Sequence, residues 1–101
     1  MNKPKVDIAM EPIEAFCRKW QIREFSLFGS VLREDFRPDS DVDVLVSFAP
    51  GAGITFENRV QMLDELSAIF GRPVDLVDKK LLKNPFRRHA ILRSREILYA
   101  A

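Results

Sequence analysis

The most informative segment of the chain is the alternating run Ser40-Asp41-Val42-Asp43-Val44-Leu45-Val46. An apolar side chain at every second position is typical of a β-strand with one buried face, and the pattern predicts a strand over residues 41–48. Side chains two positions apart lie on the same face of a strand, so Asp41 and Asp43 point the same way. Aspartate is depleted in strands, and two neighbouring carboxylates repel each other unless a cation lies between them. Mg²⁺ is the natural candidate, because it is a hard ion held by one or two carboxylates together with substrate phosphates.

A second acidic strand is predicted over residues 73–78, where Asp75 is flanked by Val74 and Leu76. If this strand lies beside the first one with matching register, Asp75 joins Asp41 and Asp43 on one face. Three carboxylates can hold two metal ions about 3.5–4 Å apart, the arrangement that stabilises the attacking and leaving oxygens of an in-line displacement. The sequence therefore predicts a two-Mg²⁺ site formed by these three aspartates. Asp78 is more simply interpreted as a cap for the segment that follows.

A candidate phosphate site precedes the alternating run. Residues 22–28 are rich in β-forming side chains and end at Gly29-Ser30, ten residues before Asp41. Glycine lets a ligand approach the backbone, the first amides of a helix favour anions, and the Ser30 hydroxyl adds a donor. Arg33 either reaches the same phosphate groups or forms a structural ion pair. Ser40 is a further candidate ligand-binding residue, although a turn hydroxyl at the start of the strand is the simpler interpretation.

The remaining periodic segments predict helices. A first helix begins at Glu11-Pro12, a second covers residues 55–70 and ends at Gly71, and a third runs from Asn84-Pro85 to near Arg93. Residues 97–99 either finish the third helix or form a short strand. Helices and strands alternate, which predicts an α/β or α+β fold with helices packed on a small sheet. The apolar stripes of the first two helices consist of Ile13, Phe16 and Trp20, and of Phe56, Val60, Leu63, Leu66 and Phe70.

Length and composition limit the class of protein. The chain has 101 residues, which predicts a single domain over residues 1–101, and 47% apolar residues allow a modest core. Its one cysteine, Cys17, excludes an internal disulfide framework and Cys/His metal clusters, and is expected to be a small core residue. The lone His89 is expected to be structural or solvated. No run approaches the ~18 apolar residues of a membrane span, and residues 1–7 lack the apolar core of a signal peptide, so a cytoplasmic protein is expected.

Charge is unevenly distributed, although the formal net charge is only +1. Residues 79–96 carry seven lysines and arginines against one glutamate, a net +6, and the rest of the chain carries −5. The basic segment is either a solvated helix face or a docking surface for an acidic partner or an RNA backbone. It lacks the interleaved aromatic side chains of surfaces that bind single strands, which favours a protein partner over nucleic acid.

Together, these motifs resemble the minimal nucleotidyltransferases of the DNA polymerase β-type superfamily. The resemblance implies a small mixed sheet flanked by helices, and Mg²⁺-dependent transfer of a nucleoside monophosphate from a nucleoside triphosphate, most simply AMP from ATP, to an acceptor hydroxyl. It also implies roles for the site residues. Asp41 and Asp43 would bridge two Mg²⁺ ions, Asp75 would hold the catalytic ion near the acceptor, and Gly29-Ser30 would grip the phosphates. Glu34 departs from the pattern, since many members have glycine after the arginine. The segments that carry the resemblance are Leu27-Phe28-Gly29-Ser30, Arg33, Ser40-Asp41-Val42-Asp43-Val44-Leu45-Val46 and Val74-Asp75-Leu76-Val77.

Minimal members of this family commonly occur beside a HEPN-type partner, a ribonuclease-like toxin, and act on it as antitoxins. The resemblance therefore implies a protein partner, and the short chain leaves little room for an acceptor-binding domain of its own. Two alternatives stay open: a non-catalytic antitoxin that neutralises its partner by occlusion, and a nucleotidyltransferase for a small molecule or an RNA end. The sequence does not indicate an oligomeric state.

Overall fold

The computed structural model describes residues 8–33, 37 and 40–101. Within them the chain forms three α-helices and four strands, and the predicted elements are confirmed to within about one residue at most ends. Residues 97–99 belong to a strand and not to the last helix, and Glu34 lies outside the described residues. The elements are α1 (Met10–Lys19), β1 (Ile22–Phe28), β2 (Val42–Phe48), α2 (Phe56–Phe70), β3 (Val74–Asp78), α3 (Pro85–Ser94) and β4 (Glu96–Ala100), with short 3₁₀ helices at Gly29–Leu32 and Lys79–Leu81.

The four strands form one mixed sheet in the order β3-β2-β1-β4. Strand β2 pairs with β3 in parallel, and β1 pairs with both β2 and β4 in antiparallel fashion. A parallel pair needs a crossover connection, which α2 supplies between β2 and β3. Helices on a small mixed sheet are the fold class that the sequence predicts.

The main core lies between one face of the sheet and helices α1 and α2. Alternation along β2 directs its three valines into this core, where they are completely buried. The core residues that they join include Ile13, Phe16 and Cys17 of α1 and Met62 and Leu66 of α2.

Helix α3 covers the other face of the sheet with a much smaller cluster. Its one buried residue, Ile91, packs with Phe28 of β1, Leu45 of β2 and Leu82. Because Asp43 and Leu45 are two positions apart on β2, Asp43 lies on this second face. The site aspartates are therefore on the side of α3 and away from the main core.

Local signals set the bounds of α2 and α3. Thr55 and Asn58 form a capping box at the start of α2, and Gly71 ends that helix with a φ of 70°. The Asn84 side chain accepts hydrogen bonds from the amides of Phe86 and Arg87 at the start of α3. These caps explain why both helices begin where the sequence predicts.

The prediction that Phe56 and Val60 belong to the buried stripe of α2 is wrong. Phe56 is 79% exposed and Val60 46% exposed, whereas Met62 and Leu66 are completely buried. At about 100° per residue, both exposed side chains lie more than about 100° around the helix from Met62. Phe86 of α3 is also exposed, so the phenylalanines are not all core residues.

No helix in the described part of the chain is both long enough and apolar enough to cross a lipid bilayer.

Candidate functional site

Three aspartates lie at one end of the sheet, on the face covered by α3. Asp43 of β2 is paired with Asp75 of β3 in the parallel register, and with Phe28 of β1 on its other side. Asp41 immediately precedes β2, two positions before Asp43, and therefore shares its face. The register on which the sequence interpretation of Asp75 depends is the one observed.

The environments of the three carboxylates differ. Asp41 and Asp75 are exposed, whereas Asp43 is half-buried between them. Burial raises the pKa of the Asp43 carboxyl, and the charges of Asp75 and Asp41 raise it further, whereas Arg33 and Arg87 act in the opposite direction. Asp43 is therefore a carboxylate whose charged form is disfavoured until more positive charge is added beside it.

Gly29 lies directly against Asp43. Its φ of 75° is in the left-handed region that favours glycine, and a Cβ atom at this position would be 2.2 Å from Oδ2 of Asp43. Only a residue without a side chain fits between the β1 backbone and this carboxylate. The predicted strand-to-helix turn is present, but it leads into a four-residue 3₁₀ helix and not into an α-helix. Arg33 follows that turn in extended conformation and is exposed.

The start of β2 is held by hydrogen bonds from two neighbouring segments. Oγ of Ser40 accepts a hydrogen bond from the Arg37 amide at 3.0 Å, which supports the turn role of this hydroxyl. The Arg72 guanidinium donates to the carbonyl oxygens of Arg37 and Ser40 at 3.1 and 3.4 Å. The amide of Val42 donates to the carbonyl of Pro73 at 3.0 Å. These bonds fix the backbone on both sides of Asp41. Farther along β3, the Asp78 carboxylate accepts a hydrogen bond from the Lys80 amide, so Asp78 is the cap that the sequence predicts.

A cavity of about 430 Å³ opens between the Gly29 turn and α3. None of the three aspartates lines it, but its lining residue Gly29 lies against the Asp43 carboxylate. Its polar side is formed by Gly29, Arg33, Arg87 and Ser94. Sequence reasoning missed Arg87 as a site residue, because it is one of seven cations in the basic segment. No local pattern distinguishes it, and only the packing of α3 against the sheet brings it to the cavity. The apolar wall consists of Phe28, Leu32, Ala90 and Ile91.

The three aspartates form an open set of possible metal ligands. In residues 8–33, 37 and 40–101, no group of three His, Cys, Asp or Glu side chains is placed so that it could hold a metal ion, so the expected convergence of all three aspartates is not observed. Mg²⁺ does not require such a group, since it keeps several waters and is usually bound by one or two carboxylates plus substrate phosphates. The adjacent Asp43 and Asp75, with Asp41 on the same face, supply carboxylate oxygens of the kind that Mg²⁺ prefers. The residues present therefore fit this ion.

The sequence matches the family defined as the nucleotidyltransferase domain over residues 9–98. The chain belongs to this family. The protein adenylyltransferase MntA of Thermococcus cleftensis is 33% identical over 81 residues, which are 80% of this chain and 77% of that protein. The resemblance to nucleotidyltransferases and the prediction of an enzyme of this class are confirmed.

Solved structures show the same fold. A toxin–antitoxin complex crystallised with AMP-PNP superposes with a TM-score of 0.73 at 20% identity, covering 93% of this chain and 75% of that one. The structure of a tri-AMPylated Shewanella oneidensis HEPN toxin in complex with an MNT antitoxin superposes with a TM-score of 0.65 at 20% identity, and the match covers 91% of this chain and 70% of that one. The predicted polymerase β-type nucleotidyltransferase fold is confirmed. The roles of Gly29, Ser30, Arg33, Ser40 and the three aspartates stay predictions.

Proposed function

We propose that the chain acts as a single domain over residues 1–101 that transfers AMP from ATP to a hydroxyl of a HEPN-type partner protein, and thereby serves as its antitoxin. The observation that carries this proposal is the pairing of Asp43 with Asp75 on adjacent parallel strands, with the Gly29 backbone packed against Asp43. The free, buried Cys17 is compatible with a reducing compartment, and we place the protein in the cytoplasm.

Two Mg²⁺ ions would be held by Asp41, Asp43 and Asp75. When bound, they supply positive charge that offsets the charge developing on the attacking and leaving oxygens. The raised pKa of Asp43 is consistent with this assignment, because burial first, and then the charges of Asp75 and Asp41, disfavour its charged form, and a bound cation would favour it.

The triphosphate would lie along the Gly29 turn. The first amides of a helical turn have no carbonyl partner within it, so the amides of Gly29 and Ser30 can donate to phosphate oxygens, as can the Ser30 hydroxyl. Arg33 and Arg87 bring two guanidinium groups to the same cavity. Its volume of about 430 Å³ falls in the ~300–1,000 Å³ range of small-molecule sites, and its apolar wall suits the face of a base.

The transfer is a displacement at the α-phosphorus of ATP. The acceptor oxygen forms a bond to that phosphorus, the bond to the bridging oxygen of the β-phosphate breaks, and pyrophosphate leaves with the electron pair. The acceptor proton passes to a carboxylate, a role that we assign to the exposed Asp75, and then to solvent. Phosphoryl chemistry of this kind depends mainly on positioning and charge, both of which this edge of the sheet provides.

A partner protein must supply the acceptor hydroxyl. Asp75 lies on the edge strand β3 and is exposed, so a hydroxyl on another chain can reach it without any opening of the fold. This geometry favours an acceptor protein over a small acceptor enclosed by this chain.

The proposal is tested by incubating the protein with its cognate HEPN partner, Mg²⁺ and each of four labelled triphosphates. Label from ATP is expected on the partner, with the added mass of AMP. Replacing Asp41 and Asp43 together by Asn is expected to reduce labelling by at least about 100-fold, because the charge stabilisation of the transition state is lost.

The matched control is Asp64→Asn, which alters an exposed aspartate of α2 on the opposite face of the sheet. This variant is expected to label the partner at the normal rate. Unchanged labelling by the double variant contradicts the proposal. Neutralisation of the partner by the double variant, with no labelling by either protein, favours the occlusion alternative instead.

A further inference from the structure

Two large apolar side chains are exposed within the basic segment of the chain. Phe86 in the first turn of α3 is 86% exposed, and Leu81 shortly before the helix is 63% exposed. A nearly fully exposed phenylalanine leaves a large apolar surface in water. The same segment also exposes the basic side chains of Lys80, Lys83, His89 and Arg93. We call the set Lys80, Leu81, Lys83, Phe86, His89 and Arg93 the α3 outer surface.

The fold neutralises only part of the positive charge in this segment. Lys79 and Arg95 both form salt bridges with Glu24, and the Arg88 guanidinium donates to the carbonyl oxygen of Lys79 at 3.0 Å. By contrast, Lys80, Lys83 and Arg93 have no side-chain hydrogen bond or salt bridge within residues 8–33, 37 and 40–101. Arg87 lines the cavity. The other cations of this segment that have no partner among the described residues are those of the α3 outer surface.

Helix α3 presents different faces to the cavity and to solvent. Arg87, Ile91 and Ser94 have i, i+4, i+7 spacing and line the cavity. Phe86, His89 and Arg93 have i, i+3, i+7 spacing and lie on the neighbouring stripe, away from the sheet. The α3 outer surface and the proposed nucleotide site therefore lie on different sides of the same helix.

We propose that the α3 outer surface docks an acidic segment of the acceptor protein that also carries exposed apolar side chains. This inference rests on the proposed function, and it adds the chemical class of the acceptor. Unpaired lysines and arginines complement carboxylates, while Phe86 and Leu81 supply the apolar contact of a protein interface. RNA is the less favoured ligand, because stacking of successive bases requires several aromatic side chains and this surface has one.

The test measures binding of a glutamate-rich random copolymer with tyrosine to the full chain, by fluorescence anisotropy without nucleotide. A lysine-rich copolymer with tyrosine serves as the opposite-charge probe. The acidic copolymer is expected to bind, and the basic copolymer is not. The double change Lys83→Glu, Arg93→Glu is expected to weaken binding about tenfold or more, since it reverses two complementary charges. Phe86→Ser is expected to weaken it about fivefold, as for the loss of an interface anchor.

Each change has a matched control elsewhere on the molecule. Arg18→Glu, Arg23→Glu reverses two exposed charges on α1 and β1, and Phe56→Ser removes an equally exposed phenylalanine from α2. Both controls are expected to bind the acidic copolymer normally. Thermal melts of all four variants are expected to match that of the unaltered protein, since every altered side chain is exposed.

The docking proposal is overturned if the controls weaken binding as much as the test variants, if the basic copolymer binds equally well, or if polyuridylate binds more tightly than the acidic copolymer. Because docking is measured without nucleotide, it is separable from transfer. Normal copolymer binding with no partner labelling contradicts the proposed function alone. Partner labelling that is unchanged in Phe86→Ser and in Lys83→Glu, Arg93→Glu contradicts docking alone.

Discussion

The contact between Gly29 and the Asp43 carboxylate links the fold to the site at the scale of single residues. The sequence predicts that Gly29 allows close approach of a ligand, but not that the first group to approach is a side chain of the same protein. The i, i+2 spacing is enough to place Asp41 and Asp43 on one face. The predicted position of Asp75 beside Asp43 depends on the register of β3 on β2, which no local pattern specifies. Arg87 shows the same limit more strongly, because its place in the cavity results only from tertiary packing.

Gly29→Ala is expected to destabilise the protein by at least about 1 kcal/mol more than Gly51→Ala. Both glycines have φ near 75–80°, so both variants incur the left-handed backbone penalty of about 1–2 kcal/mol. Only at Gly29 does the new Cβ also overlap the Asp43 carboxylate, since nothing lies within 4 Å of a Cβ at Gly51. Urea unfolding of the two variants measures the difference. Equal free energies of unfolding would show that the contact with Asp43 relaxes freely.

At the scale of elements, periodicity and caps predict most helices and strands because both signals are local. Thr55, Gly71 and Asn84 mark helix ends by side-chain or backbone chemistry that operates within a few residues. The short segment at residues 97–99 has too few residues for a period, and its strand forms only because β1 offers a free edge. The predicted stripe of α2 differs from the buried one for a similar reason: apolar side chains occur on several sides of that helix, and packing on the sheet determines which of them are covered.

A polar cluster connects α1 to α2 at Glu65. Its carboxylate accepts hydrogen bonds from Lys19 Nζ at 2.6 Å and from the buried Trp20 indole at 3.1 Å. Burial pushes the pKa of Glu65 upward. The hydrogen bonds from Lys19 and Trp20, together with the Lys19 charge and a bond from Gln61, outweigh it and lower the pKa below its ordinary value of 4.5. The folded state therefore favours the charged form of Glu65.

Glu65→Gln is expected to lower the free energy of unfolding by less than about 1 kcal/mol at pH 7, because the Lys19 side chain is 52% exposed. A lowered pKa contributes stability that is fully present above the unfolded pKa and is lost as the pH falls through the folded pKa. The difference between the two proteins is therefore expected to disappear on acidification below pH 4.5. Denaturant titrations at several pH values measure it, and a double-mutant cycle with Lys19→Met isolates the pair. A difference that grows on acidification contradicts the assigned direction.

At the scale of the whole molecule, the alternation of helices and strands predicts helices packed on a sheet. In the structure, the larger of two hydrophobic clusters lies on one face of that sheet. Cys17 lies in that larger cluster and is completely buried. The sequence predicts this position from the helical stripe alone. The thin cluster under α3 was not predictable, since it depends on Phe28, Leu45 and Ile91 meeting from three distant elements. The division of the basic segment between salt bridges to Glu24 and an unpaired outer surface likewise appears only in three dimensions.

The Cys17 thiol is expected to report unfolding of the whole domain. Burial raises its pKa to about 12, which Arg18 opposes and Glu14 reinforces, so the native thiol is protonated and inaccessible at pH 8. An aromatic disulfide reagent is expected to label it only at the rate of global opening, and to label it quickly in concentrated guanidinium chloride. An Ala68→Cys variant, with its added thiol on the exposed side of α2, provides the fast control. Labelling of native Cys17 as fast as that control contradicts its position in the core.

Helix α3 buries a single residue, whereas α1 buries three. It is therefore the wall of the cavity that the rest of the fold holds least firmly, and it belongs to both proposed binding surfaces. A nucleotide in the cavity and an acceptor on the outer surface would each restrict the motion of the same helix. Linkage then requires that each ligand change the affinity of the other by the same factor. The weak anchoring of one helix would make this small domain cooperative, holding its donor most tightly when an acceptor is present.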